Sequence, residues 1–161
     1  MMSDLRIVAP PGENYIVLTR TFNAPLALVW RAVSEPEHLA RWWGPQGQTS
    51  RVLELDRRVG GVWKIETTGR DGRVVVFHGE YREIVPPTRV VQTFGVEGMY
   101  GGAVSVDTLT LEAAGERTIY KIVSVLPDNA TRDGMMNSGV DFDVLAGFER
   151  LDAILEAFKA E

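Results

Sequence analysis

The sequence predicts an α+β chain in which an antiparallel sheet of about seven strands packs against one long C-terminal helix. Extended runs rich in β-branched and aromatic residues recur from Tyr15 to Val125, joined by tight turns, the connection that antiparallel neighbours need. Beyond Pro127-Asp128 the apolar period lengthens: Val140, Val144, Phe148, Leu151, Leu155 and Phe158 recur every three or four residues, which marks one core-facing stripe of a helix. Only two short helical segments interrupt the strands, both between the first and the second. They are too small for the helical layer of a βαβ unit and belong at one end of the sheet.

Tyr15 to Phe22 (YIVLTRTF) is the first strand. Asn23 then precedes Ala24-Pro25, a helix cap followed by a proline in the first turn, with Leu28, Val29, Ala32 and Val33 at helical spacing. Glu35-Pro36 ends that helix, because a residue before proline avoids the α region. A second helix runs from Pro36 to Trp43 and stops at Gly44-Pro45. The strands that follow are Val52 to Asp56, Val62 to Thr68, Val74 to Val85, Arg89 to Phe94, Val104 to Glu112 and Thr118 to Val125. Arg70-Asp71-Gly72 and Ala114-Gly115-Glu116 make hairpin turns. The final helix is expected from near Asp133, with irregularity at Gly134 and Gly139.

The length of 161 residues suits one domain, 1–161, with an ordered core over about 15–159. The formal charge of −5 is spread without a basic run, which disfavours nucleic-acid binding. The absence of cysteine removes thiolate zinc sites, cysteine nucleophiles and disulfides, and fits a reducing cytoplasm. Met1 to Gly12 lacks the apolar core of a secretory signal, and no apolar stretch reaches the roughly 18 residues of a membrane span. The only histidines, His38 and His78, lie in different elements, and no ligand spacing such as His-Glu-x-x-His occurs, so no metal is expected. Neither a Gly-x-Ser-x-Gly elbow nor a dinucleotide or Walker fingerprint is present, and no cofactor is expected.

Arg20-Thr21-Phe22-Asn23-Ala24-Pro25, with Val29-Trp30 behind it, resembles the opening of the START-like (SRPBCC) superfamily. The stretch Pro36 to Pro45 (PEHLARWWGP) resembles the branch named for the activator of heat-shock protein 90 ATPase. Val59 to Trp63 (VGGVW), Gly79 to Pro87 (GEYREIVPP), Ser138-Gly139 and Gly147 to Asp152 (GFERLD) agree with the same branch, so the likeness covers nearly the whole chain. The resemblance implies the helix-grip fold, a curved sheet around the long helix with a hydrophobic molecule held between them. Members include lipid carriers, polyketide cyclases, ligand-sequestering proteins and co-chaperone domains, and they are often dimers. The fold is shared and the chemistry is not.

The residues that could bind or react follow from strand and helix parity. Trp42 and Trp43 are adjacent, about 100° apart on a helix, so one should pack inward and the other, Trp43, should lie near a cavity mouth. Trp63, Ile65 and Thr67 share a face opposite Lys64 and Glu66, and either line a cavity or fill a solid core. On Val74 to Ile84 two assignments stay open. Phe77 and Tyr81 face in, with Gly79 leaving a recess for a ligand between them, or His78 and Glu80 face in, where the histidine could act as a base tuned by the carboxylate. Phe94 continues the aromatic set. Met99 and Tyr100, in the glycine-rich run Gly95 to Gly102, and Met135, Met136 and Phe142, at the start of the final helix, offer adaptable apolar contacts.

The leading expectation is a binding protein for a small or medium hydrophobic molecule, lipid or aromatic and polyketide-like. A cyclase or hydratase using His78, Glu80 or Tyr81 is the alternative, and whether the chain is an enzyme stays open. A co-chaperone-like interaction module is the third reading, and 161 residues leave no room for the further N-terminal domain of the eukaryotic co-chaperone.

Overall fold

The computed structural model describes residues 5–43, 49–98, 102, 104–136 and 140–161, the side chains of 135 and 140–146 excepted. The strands are β1 (Arg6–Val8), β2 (Tyr15–Phe22), β3 (Thr49–Leu55), β4 (Val62–Thr68), β5 (Val74–Val85), β6 (Arg89–Val96), β7 (Val104–Ala114) and β8 (Arg117–Val125). The helices are α1 (Leu26–Ser34), α2 (Pro36–Trp42), α3 (Asn129–Met136) and α4 (Val140–Lys159). All strands join one antiparallel sheet in the order β1-β2-β8-β7-β6-β5-β4-β3. The described residues thus form eight strands where the sequence predicts about seven. The added strand, β1, spans three residues, too few to show alternation, and it is defined by pairing Ile7 with Leu18.

Two helical boundaries also differ from expectation. Pro25, extended at ψ 154°, holds the cap position of α1, and no side chain caps that helix. Asn23 is instead held by tertiary contacts around it: its carbonyl accepts from Lys159 Nζ at 3.1 Å, and the next carbonyl, of Ala24, accepts from Thr118 Oγ1 at 2.8 Å. The C-terminal helical region begins at Asn129 rather than near Asp133, because Asp128 Oδ1 accepts from the Thr131 N–H at 2.7 Å and so satisfies a free donor of the first turn. Gly134 lies within α3, and Gly139 lies outside the described residues.

Because β2 and β3 lie near opposite edges of the sheet, the chain between them must cross it, and α1 and α2 are that crossing. Along α4, Phe148, Leu151, Leu155 and Phe158 are buried as the periodicity predicts, joined by Ile154. Phe148 meets Phe22 and Tyr120 edge-on, at 5.3 and 5.2 Å between ring centroids. A charge secures the same contact. Arg20, inward-facing on β2, pairs with Asp152 at 2.6 Å, donates to the Phe148 carbonyl at 3.2 Å and lies over the Phe22 ring at 4.6 Å. Helix and sheet are therefore tied together at this point.

In β5 the pairing with β6 shifts between Tyr81 and Glu83, so that Tyr81 opposes Gln92 while Glu83 opposes Val91 and Ile84 opposes Val90. One extra residue in the strand lets Tyr81 and Ile84, three apart, both turn inward.

Candidate functional site

A cavity of about 330 Å³ lies between the concave face of the sheet, α2 and α4. Its size falls at the lower end of ligand-binding pockets. Strand parity decides which side chains reach it. On β4, Trp63, Ile65 and Thr67 are buried, and Trp63 and Ile65 line the cavity, which settles that strand's face. On β5, Phe77 and Tyr81 line the cavity. His78 shares the outer face with its partner Lys64 and lies across Gly95, where a Cβ would come within 3.0 Å of the imidazole. Glu80 is exposed. The assignment that placed His78 and Glu80 inside is therefore wrong: pairing with the cleanly alternating β4 fixes the parity of β5, and Phe77 opposes Ile65 directly.

The recess expected at Gly79 is occupied. A Cβ there would lie 2.4 Å from Trp63 Nε1 and 1.9 Å from the Thr93 carbonyl oxygen, so the indole rests on the glycine backbone. Trp63 Nε1 is buried in this contact with no hydrogen-bond partner among the described residues. The glycine admits a ring of the protein itself.

Trp42 and Trp43 both line the cavity. The helical rule that separates neighbours does not hold for them, because Trp43 has left the helix at φ −71°, ψ 135°. Trp42 donates from Nε1 to the Ala32 carbonyl at 3.1 Å, and its own carbonyl accepts from Arg150 on α4 at 3.1 Å. The Trp43 carbonyl accepts from Ser50 Oγ at 2.9 Å. So anchored, Trp43 sits among Trp63, Phe77 and Phe94 with ring centroids 5.7, 5.7 and 6.2 Å away. Separations and tilts of this kind are favourable for aromatic quadrupoles.

Of the remaining predicted residues, Met99 and Tyr100 lie outside the described residues, as do the side chains of Met135 and Phe142. Met136 is half-buried at the end of α3 and does not line the cavity.

Beside the aromatic patch runs a polar row of which sequence reasoning found only Tyr81. Tyr81 on β5 opposes Gln92 on β6, Gln92 opposes Asp107 on β7, and Asp107 opposes Ser124 on β8. All four line the cavity, as do Ser105 and Arg57. Ser105 Oγ donates to Asp107 Oδ1 at 2.8 Å, and Ser124 is a second hydroxyl partner. Burial pushes the Asp107 carboxyl above the usual carboxylate range, and the two serine hydrogen bonds oppose that rise. Arg57 Nη1 donates to the Tyr81 hydroxyl at 3.3 Å, and its guanidinium lies 5.2 Å from the ring centroids of both Trp30 and Tyr81. Burial raises the Tyr81 phenol, while the Arg57 charge and hydrogen bond pull it down. Tyr120 is raised strongly, by burial first and then by the charge of Asp107. One signal for Asp107 was legible: in Val104 to Leu111, Ser105 and Asp107 alternate in phase with Leu109 and Leu111, a carboxylate on the apolar face of a strand. Arg57, just past the end of β3, gives no such sign.

Glu35, Glu37 and His38 bring their ligand atoms within 4.8 Å of one another. His38 Nε2 is 3.1 Å from Glu35 Oε1, the spacing of a hydrogen bond, and none of the three lines the cavity. Among the described residues no helix is long and apolar enough to cross a membrane.

The comparisons agree with this architecture. A solved protein of Rhodobacter sphaeroides superimposes with a TM-score of 0.87 at 22% identity, over 96% of this chain and 99% of that one. One of Arthrobacter aurescens gives 0.84 at 23% identity, over 94% and 91%. One of Chromobacterium violaceum gives 0.76 at 30% identity, over 89% and 97%. No curated protein matches. The family model described as activator of Hsp90 ATPase homolog 1-like protein matches residues 23–156. With its eight-stranded antiparallel sheet closed over a C-terminal helix, the chain belongs to the activator of Hsp90 ATPase homolog 1-like family, a START-like family of helix-grip fold.

Proposed function

We propose that this protein binds a small, mainly apolar molecule in the cavity between sheet and α4. The observation that carries the reading is the wall itself. Four aromatic rings, from Trp43, Trp63, Phe77 and Phe94, cluster beside space that the described side chains leave open. Covering apolar wall with an apolar guest is worth about 25 cal/mol per Å² before the costs of association. A thermal-shift screen with native mass spectrometry, across fatty acids, sterols and flat aromatic compounds, tests it. A binder supplied at about 100 times its Kd should add about 2.7 kcal/mol of stability. A melting temperature unmoved by the whole panel, with no retained adduct, would end the proposal.

A second reading is favoured by Asp107. A carboxyl facing an apolar cavity and raised by burial is suited to moving a proton, and here it replaces the excluded His78 and Glu80 as the cavity acid or base. Under this reading a bound compound returns changed in mass, gaining water in a hydration or losing it in a condensing ring closure. Compounds recovered unchanged by mass spectrometry after prolonged incubation would leave the binding function alone.

A further inference from the structure

The polar row says which guest the cavity selects, given that it holds one. Tyr81, Gln92, Asp107 and Ser124 stand on consecutive strands in direct register, so they project at steps of about 5 Å across the cavity floor. At one end the Tyr81 hydroxyl accepts from Arg57, which leaves its own proton to donate. At the other end Asp107 takes hydrogen bonds from Ser105 and Ser124. A carboxylate offers about four lone-pair sites, so acceptor capacity remains on a group that lines the cavity.

Charge narrows the choice of guest. Arg57 has no carboxylate partner within ion-pair distance among the described residues, and its Nη2 is buried without a hydrogen bond. Beside Asp107 an anionic headgroup such as a fatty acid's is repelled, and beside Arg57 a cationic one is, so a guest charge of either sign is tolerated at one end of the row only. Unmatched charge is costly in such a setting. A neutral guest with a hydroxyl avoids both conflicts and satisfies the carboxyl. Next to the row, Trp43, Phe77 and Phe94 offer surfaces that fit a flat ring system better than a flexible chain.

We propose that the cavity selects neutral hydroxyaromatic molecules, the guest hydroxyl donating to Asp107 while its rings lie against Trp43, Phe77 and Phe94. Isothermal titration of the intact protein with 2-naphthol, 2-methylnaphthalene and 2-naphthoate at neutral pH tests this. The parent should bind 2-naphthol about tenfold or more tighter than either analogue, the factor of one charge-assisted hydrogen bond. Asp107→Leu should erase the preference over 2-methylnaphthalene, and Asp107→Asn should raise affinity for 2-naphthoate. Should Asp107→Leu fail to fold by near-ultraviolet circular dichroism, the near-isosteric Asp107→Asn decides. Equal affinities for 2-naphthol and 2-methylnaphthalene in the parent, tightest binding of 2-naphthoate, or unchanged selectivity in the variants would overturn the selection while leaving a binding cavity in place. If none of the three probes binds, the selection falls, and the wider panel of fatty acids and sterols decides whether the cavity reading falls with it.

Discussion

Gly79 has no side chain because Trp63 and the neighbouring strand occupy the place of one. The nearest obstacle to a methyl group is the backbone oxygen of Thr93, which cannot swing aside as a flexible side chain would. Gly79→Ala should therefore destabilise the protein by about 1–3 kcal/mol, the usual cost of overpacking. It should also change the fluorescence of the displaced indole. A urea titration followed by tryptophan emission checks both, and a variant as stable as the parent would show that the indole has another place to go. Asp107 gives a prediction of opposite sign. Its folded pKa lies above the unfolded one, so the folded state holds the proton more tightly and loses stability as pH rises through the interval between them. Asp107→Asn removes that loss. Plotted from about pH 4 to about pH 8, the melting temperature of the variant minus that of the parent should climb and then level off above the folded pKa. The neighbouring tyrosines do not obscure the curve, since Tyr81 and Tyr120 are both raised from an already basic value. A flat difference curve would mean that Asp107 is solvated as an ordinary surface carboxylate.

The elements were legible to different degrees. β4 and the end of α4 could be read directly, because each has one face in water and one in the core, and the pattern of side chains records which is which. β5 could not, because aromatic residues, His78 and charged residues mix on it, and only pairing with β4 and β6 fixes its face. The ion pair between β2 and α4 was invisible for a related reason: Arg20 and Asp152 are separated by 132 positions, and each looks like surface charge in its own segment. That pair predicts how firmly the helix is held. Asp152→Ala strips the buried guanidinium of its charged acceptor, and the loss should be about 1.5–3 kcal/mol, as for hydrogen bonds to charged groups. Solvent reaches one side of Asp152, which keeps the figure below that for a wholly buried pair. Denaturant melts of Asp152→Ala, of Arg20→Met and of the double substitution would measure the coupling. A coupling near zero would mean that Arg20 is held by Phe22 and the Phe148 carbonyl alone.

At the scale of the molecule, an antiparallel sheet packed on one long helix followed from the order of elements and a change of apolar period, both properties of the chain in one dimension, and the family resemblance added the helix-grip. The cavity did not, since empty space leaves no mark on a sequence and depends on how side chains of the sheet, α2 and α4 meet across the fold. Its aromatic lining was anticipated better than its polar floor: Trp63, Phe77, Tyr81 and Phe94 stand out by residue type, whereas Gln92, Asp107 and Ser124 join Tyr81 in a row only when four strands are laid side by side. The shift in β5 has an effect on assembly that goes beyond local shape. If the strand ran on without its additional residue, Glu83 would turn toward the oily interior and Ile84 toward water, and the carboxylate would lose Arg89, which it meets at 3.0 Å. A mispaired β5 is thus penalised twice, by a stranded anion and by a wasted apolar side chain. The strand that carries Tyr81 discourages its own slippage, and the alignment of the whole floor inherits that discipline.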